Sequence, residues 1–213
     1  MPDATALVII ARAPEAGRIK TRLAAGIGAE RTLAVYRQLL AVVVAAQASW
    51  PGPVLLATSG ADAAWEGSGL EHLPRRPQPS GGLGGRVAAA LRWGHEHCPR
   101  VVAIGTDCPG LRGPHLDALV ALLTDVPVAF GPAADGGYWG VALADPRAIP
   151  LVGDDALPWS TPRILAESRA RLVAAGLACA LGETLADCDD ADDLAAAVAA
   201  GFLIWPTSME TSR

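Results

Sequence analysis

Apolar residues fall along the chain in two rhythms. Short unbroken runs occur at residues 7–11, 54–58, 101–105, 126–130 and 177–181, each bounded by Gly, Pro or a charge. Runs of that length and composition predict buried strands. Between them apolar positions recur every three or four residues. Leu33, Tyr36, Leu40 and Val44 mark a long helix over 29–49, which Trp50-Pro51-Gly52-Pro53 stops. Further helices are predicted from the glycine-rich stretch near residue 84 to about 97, over 114–124, and from Thr161 as N-cap and Pro162 as first residue to about 175, before Gly176. A last helix follows the acidic run 187–193, with Asp190 and Asp193 as cap and first-turn acids. Residues 138–143 form another apolar run, and Asp135-Gly136-Gly137 before it also fits a hairpin turn. Strands alternating with helices predict an α/β layered fold with a largely parallel sheet.

Composition narrows this picture without redirecting it. A chain of 213 residues is long enough to bury a sizeable core, and no linker or repeat divides it, so one domain over 1–205 and a frayed tail over 206–213 are expected. Hydrophobic content of 51% looks membrane-like, but alanine inflates it. The longest run without a polar side chain, 194–205, is twelve residues, short of the ~18 that would predict a span. No basic segment precedes the first apolar run, so a signal peptide is not expected. Cys98, Cys108, Cys179 and Cys188 are scattered, without a C-x-x-C pair, which points to a reducing cytoplasm. His95 and His97 stand two apart, on different sides of a helix, and read as solvated rather than metal ligands. A net charge of −5 and 5% aromatic residues argue against nucleic acid as the partner. The oligomeric state stays open.

Against that acidic background one loop is basic. After the first run, Arg12, Arg18, Lys20 and Arg22 face a single acid, Glu15, and Lys20 is the only lysine in the chain. The loop reads either as a solvated turn or as the seat of a polyanion, with Lys20 a compact charge suited to a phosphate oxygen. It is not a Walker A loop, since Ile19 stands where glycine would be needed, and no G-x-G-x-x-G follows the strand.

Three later loops add chemistry. Residues 77–86 place four glycines before a helix, where backbone N–H groups could approach an anion; Gln78, Gly84 and Arg86 are the candidates there. A flexible connector explains the same glycines. Asp107 lies just past the 101–105 run, where open α/β sheets bind ligands, although a turn before Pro109 also accounts for it. Asp135, Gly136 and Tyr138 follow, with Tyr138 or Trp139 able to stack on a base or sugar. Asp187 and Asp189 precede the last helix and are freer for chemistry than its capping acids. If the loops gather at one sheet edge, Asp107 and Asp189 (or Asp187) would hold Mg²⁺, or Mn²⁺ in its place, while the cations neutralise substrate phosphates.

Six motifs in order, P-x-x-G-R-I-K-T-R-L, Q-P-S-G-G-L-G-G-R, I-G-T-D-C-P-G-L, G-P-A-A-D-G-G-Y-W, P-W-S-T-P and D-C-D-D-A-D-D-L, span nearly the whole chain. Together they resemble a bacterial family of GT-A-like transferases, described as glycosyltransferases or selenodomain-associated transferases, related to molybdenum-cofactor and phospholactate guanylyltransferases. The resemblance implies a three-layer nucleotide-diphospho-sugar transferase fold with a mainly parallel mixed sheet. It implies Asp107 as first metal ligand, Asp189 as second, and Arg18, Lys20 and Arg22 around the donor phosphates. The final motif departs from the family's D-V-D-T-P-E-D-L at Cys188, Asp190, Ala191 and Asp192. The expected function is a Mg²⁺-dependent transferase acting on a nucleoside triphosphate or nucleotide sugar and a small acceptor. Nucleotidyl transfer is favoured over glycosyl transfer, because an anionic acceptor needs no base; the glycosyl version would use Asp135. The alternative is a nucleotide-binding module without catalysis.

Overall fold

The computed structural model describes residues 4–206; of the expected tail, 207–213 lie outside the described residues. The first apolar run forms β1 (Thr5–Arg12), an interior strand, third in the order of a seven-stranded sheet. β1 pairs in parallel with β2 (Val54–Ser59) on one side and β4 (Arg100–Ile104) on the other. A short edge strand, β3 (Arg75–Pro77), was not legible in the sequence, because its three residues are exposed and carry no apolar pattern. The order is β3-β2-β1-β4-β6-β5-β7, with β5 at Val128–Pro132, β6 at Tyr138–Leu143 and β7 at Cys179–Leu181. β6 runs antiparallel to both β4 and β5; every other pairing is parallel. The hairpin reading of residues 133–137 is therefore the observed one.

Helices cover both faces, which is why the central strands read as continuous apolar runs. Leu7 and Ile9 belong to one core with Leu23, Leu40, Leu116 and Leu194, beneath α1 (Thr21–Ile27), α2 (Ala29–Gln47), α4 (Gly113–Leu122) and α7 (Ala191–Ala199). Val8 turns to the other, with Leu91, Val101, Phe130 and Leu172, under α3 (Leu83–His95), the single turn α5 (Ile149–Val152) and α6 (Ile164–Ala174).

Element ends move for identifiable reasons. α1 is separate from α2 because Gly28 adopts φ +86° between them. β5 starts at Val128 because the Val126 amide still bonds the Leu122 carbonyl at the end of α4. β7 starts two residues late because the Leu177 amide closes the end of α6 on Leu172. α6 begins at Ile164, not at Pro162, because the Thr161 hydroxyl donates back to the Pro158 carbonyl at 2.7 Å and Ser160 takes φ +59°, which makes 158–163 a turn.

Candidate functional site

Since β1, β2, β3, β4, β5 and β7 point the same way, their C-terminal ends deliver the basic loop, Gln78, Asp107, Asp135 and the 182–189 segment to one edge of the sheet. Two local devices complete the assembly. The Cys188 amide donates to the Asp107 carbonyl at 3.0 Å, tying the loop after β4 to the segment before α7. Asp190 caps α7 by accepting from the amides of Asp192 and Asp193, while Asp193 accepts from the amides of Asp189 and Asp190. This reciprocal cap starts the helix without the family's T-P-E residues and leaves the Asp189 carboxylate free to face the basic loop.

There Asp189 meets Lys20, at 3.0 Å, and Arg22; Lys20 also reaches Asp107 Oδ1 at 2.5 Å. Lys20 holds a left-handed conformation, φ 40° and ψ 59°, at the start of α1. Its side chain is 6% exposed, whereas Asp107 is 51% exposed. Burial alone would lower the Lys20 pKa, but the charges and hydrogen bonds of Asp107 and Asp189 outweigh it and hold the ammonium above the ordinary lysine value. Behind it, Tyr36 donates from its hydroxyl to the Arg12 carbonyl at 2.9 Å and accepts from Thr106 at 3.4 Å. Burial pushes the Tyr36 phenol up to about 12, so it stays a neutral donor at physiological pH.

Two cavities open at this edge. The first, about 510 Å³, is lined by Arg12, Arg18, Lys20, Arg22 and Arg86, with Tyr36, Gln78, Thr106, Asp107, Ser160 and Asp189. The Gln78 amide nitrogen donates to the carbonyls of Ala11 and Ala57, both at 2.9 Å. Carbonyl partners fix which way that amide points, and the oxygen left over is an acceptor only. Arg86 donates to the Gly81 carbonyl at 3.1 Å, and its Nε is buried without a partner. The second cavity, about 440 Å³, is lined by Asp107, Asp135, Asp187 and Asp189, by Tyr138, Trp139 and Trp159, and by Ser160 and Thr161. Arg22, Leu83, Asp107, Ser160 and Asp189 belong to both walls.

Two candidates stand off these walls. Gly84 is buried, and a Cβ there would lie 2.6 Å from Trp159 Nε1 and 2.7 Å from the Asp154 carbonyl, so its glycine permits helix-to-loop packing rather than ligand approach. The α3 N-terminus is likewise engaged: Asp155 Oδ1 accepts from the Gly85 amide at 2.9 Å. Gly136, at φ +89°, lies against the Pro162 carbonyl, and Gly137 faces the second cavity in its stead. Tyr138 packs between Phe130 and Trp159 at steep ring angles, 57° and 66°, with ring centroids 5.2 and 6.1 Å away, and lines that cavity. Asp187 lines only the second cavity, and burial raises its pKa, with Asp135, Asp189 and Asp193 adding to the effect. Tyr36, Thr106 and Ser160 escaped the sequence reading. Tyr36 is hidden by its place in an apolar helical repeat, though its hydroxyl is a polar tip among aliphatic neighbours.

Among the described residues no group of three or more His, Cys, Asp or Glu side chains is clustered as for a metal ion. The donor set is nonetheless of the right kind for a hard cation. Two carboxylates converge on one ammonium, and Mg²⁺ or Mn²⁺ commonly takes one or two carboxylates and fills its remaining positions with substrate phosphates and water.

The sheet order, the reversed β6 and the cavities at this edge define a nucleotide-diphospho-sugar transferase fold. A "putative nucleotide-diphospho-sugar transferase" from Desulfovibrio desulfuricans G20 matches with a TM-score of 0.79 at 20% identity, covering 100% of this chain and 90% of that one. A nucleotidyl transferase from Methanothermobacter thermautotrophicus matches at 0.64 and 16%, covering 93% and 97%. Glucosyl-3-phosphoglycerate synthase from Mycobacterium tuberculosis, solved with Mn²⁺, uridine diphosphate and glucosyl-3-phosphoglycerate, matches at 0.52 and 13%, covering 96% and 81%. At such identities the likeness carries the fold and not the reaction. The chain belongs to the family described as "Uncharacterized protein conserved in bacteria (DUF2064)", whose model matches residues 40–161. That stretch includes Gln78, Asp107 and Asp135 but neither Lys20 nor Asp189. No functionally curated protein matches in sequence. Among the described residues no helix is long and apolar enough to cross a membrane.

Proposed function

We propose that this chain is a divalent-cation-dependent transferase whose donor is a nucleoside triphosphate or a nucleotide sugar. One observation carries the reading: a cationic cavity and an acidic, aromatic one meet at a common wall containing Arg22, Asp107, Ser160 and Asp189. A donor diphosphate bound by Arg12, Arg18 and Arg86 has its leaving end at that wall. Lys20 keeps the two carboxylates together and neutralises charge on the departing phosphate; Arg22 does so from the outer side. Asp107 and Asp189 would hold a Mg²⁺ or Mn²⁺ ion, which would supply further positive charge to the leaving group. Gln78 offers its amide oxygen to an N–H of the base.

Calorimetry with a panel of nucleotides and nucleotide sugars, with and without Mg²⁺, tests this. Binding that strengthens with the metal and is lost in Asp107→Ala is expected; affinity that ignores both overturns it. A second reading, a nucleotide-binding module without catalysis, is favoured by one feature: Lys20 already supplies a cation to both carboxylates. Metal-independent binding with no nucleotide turnover would select it.

A further inference from the structure

The two cavities carry opposite charge. Five cations and two carboxylates line the first. Four carboxylates and one cation line the second, and that cation, Arg22, is already paired with Asp189. We propose that the second cavity takes the acceptor, and that this acceptor reacts through a hydroxyl and bears no negative charge. The inference rests on the transferase reading above, and it reverses the preference for an anionic acceptor drawn from the sequence.

Three features of the cavity lead there. An acceptor phosphate or carboxylate would have to approach Asp135 and Asp187 with no unpaired cationic side chain on the wall to compensate, since an ion held by Asp107 and Asp189 would be matched by those two carboxylates and the donor phosphates, and like charges in a partly enclosed site repel strongly. The aromatic wall of Tyr138, Trp139 and Trp159 beside Ser160 and Thr161 suits a molecule with an apolar carbon face and hydroxyl edges, which is the character of a sugar or other polyol. Carboxylates are acceptors only, so they favour partners that bring O–H donors. Asp135 is positioned for more than binding. Its Oδ1 accepts from the Gly137 amide at 2.7 Å, which orients the carboxylate at the cavity while using one of its two oxygens.

The transfer then balances simply. The acceptor oxygen forms a bond to the electrophilic atom of the donor, either the anomeric carbon of a nucleotide sugar or the α-phosphorus of a triphosphate. The bond from that atom to the leaving nucleoside diphosphate or pyrophosphate breaks, its electron pair departing with the leaving group, and the hydroxyl proton passes to Asp135. No oxidant or reductant is needed.

The test pairs each acceptor probe with its charged relatives: glucose, glucosamine and glucose 6-phosphate, and glycerol against glycerol 3-phosphate. Release of nucleoside diphosphate or pyrophosphate is followed with Mg²⁺ and the donor identified by calorimetry. Unphosphorylated members should raise release above the water background, and their phosphate esters should not. Asp135→Asn should slow that release on the order of a hundredfold, with donor affinity unchanged. The proposal is overturned if the phosphate esters are the better acceptors, if no uncharged or cationic probe exceeds background, or if Asp135→Asn leaves the rate intact. Donor binding, measured on the same samples, separates these failures from failure of the transferase reading, which would remove metal-dependent binding altogether.

Discussion

The basic loop after β1 and the glycine-rich loop before α3 both offered phosphate contacts in the sequence, the first through side chains and the second through backbone, and the fold uses them differently. In the first, Arg12, Arg18, Lys20 and Arg22 all reach a cavity wall. In the second, the helix N-terminus is taken by Asp155 and the buried Gly84 is pressed against Trp159 and Asp154, leaving Gln78, Leu83 and Arg86 to contribute side chains. A side chain's charge travels with the residue, whereas a backbone N–H is available only if nothing else in the fold has claimed it.

The contrast can be broken by substitution. Lys20→Ala should do most harm to function: donor binding by calorimetry should weaken on the order of ten- to a hundredfold, the value of a charged hydrogen-bonding partner, and Asp107 and Asp189 are left facing one another. Unchanged affinity would return this loop to the status of a solvated turn. Gly84→Ala should act on stability instead. The added methyl has to displace backbone at Asp154, costing about 1–3 kcal/mol, at ~2–4 °C of Tm for each kcal/mol in a chain of this size. Asp155→Ala removes one tertiary cap from α3 and should cost about 1 kcal/mol. The sharper readout there is affinity: if freeing the Gly85 amide tightens donor binding, the glycine loop is a phosphate site held shut, and the contrast fails.

The smallest effect concerns the far end of α3. His95, expected to be solvated, is instead partly buried: burial lowers its pKa below its ordinary 6.5, and its Nε2 is buried without a partner. An unfolded chain therefore takes up a proton near that value that the folded one refuses, so this contribution to stability is present above it and is lost as pH falls. Thermal melts between about pH 7.5 and 5.5 should show a smaller decline for His95→Gln than for the parent chain. Equal declines would assign the acid sensitivity to carboxylates.

What was legible in the sequence follows the same division. The buried strands were, because β1, β2 and β4 lie between two helical layers and must be apolar on both faces. So was the N-cap of α7, since Asp190 acts within a single turn. β3 was not, being an exposed edge whose pairing with β2 is written in backbone hydrogen bonds alone. Within the candidate site, Lys20 and Asp107 could be named from residue type and place after strands, and Asp189 from its place ahead of the capping acids of the last helix. Their mutual contact, and the partition into one cationic and one acidic cavity, needed the sheet order. Gly84 and Gly136 misled because glycine serves close packing and ligand approach equally well, and only the neighbour in space tells which.

The ion pair between Lys20 and Asp189 joins positions 169 residues apart. Such a closure comes late in folding, after nearer partners have repaid the entropy of bringing distant segments together. On the ribosome, the basic loop therefore emerges early and waits for most of the polypeptide before its second carboxylate arrives. Until then a nascent chain can own a nearly finished sheet and still lack the contact that joins its two ends.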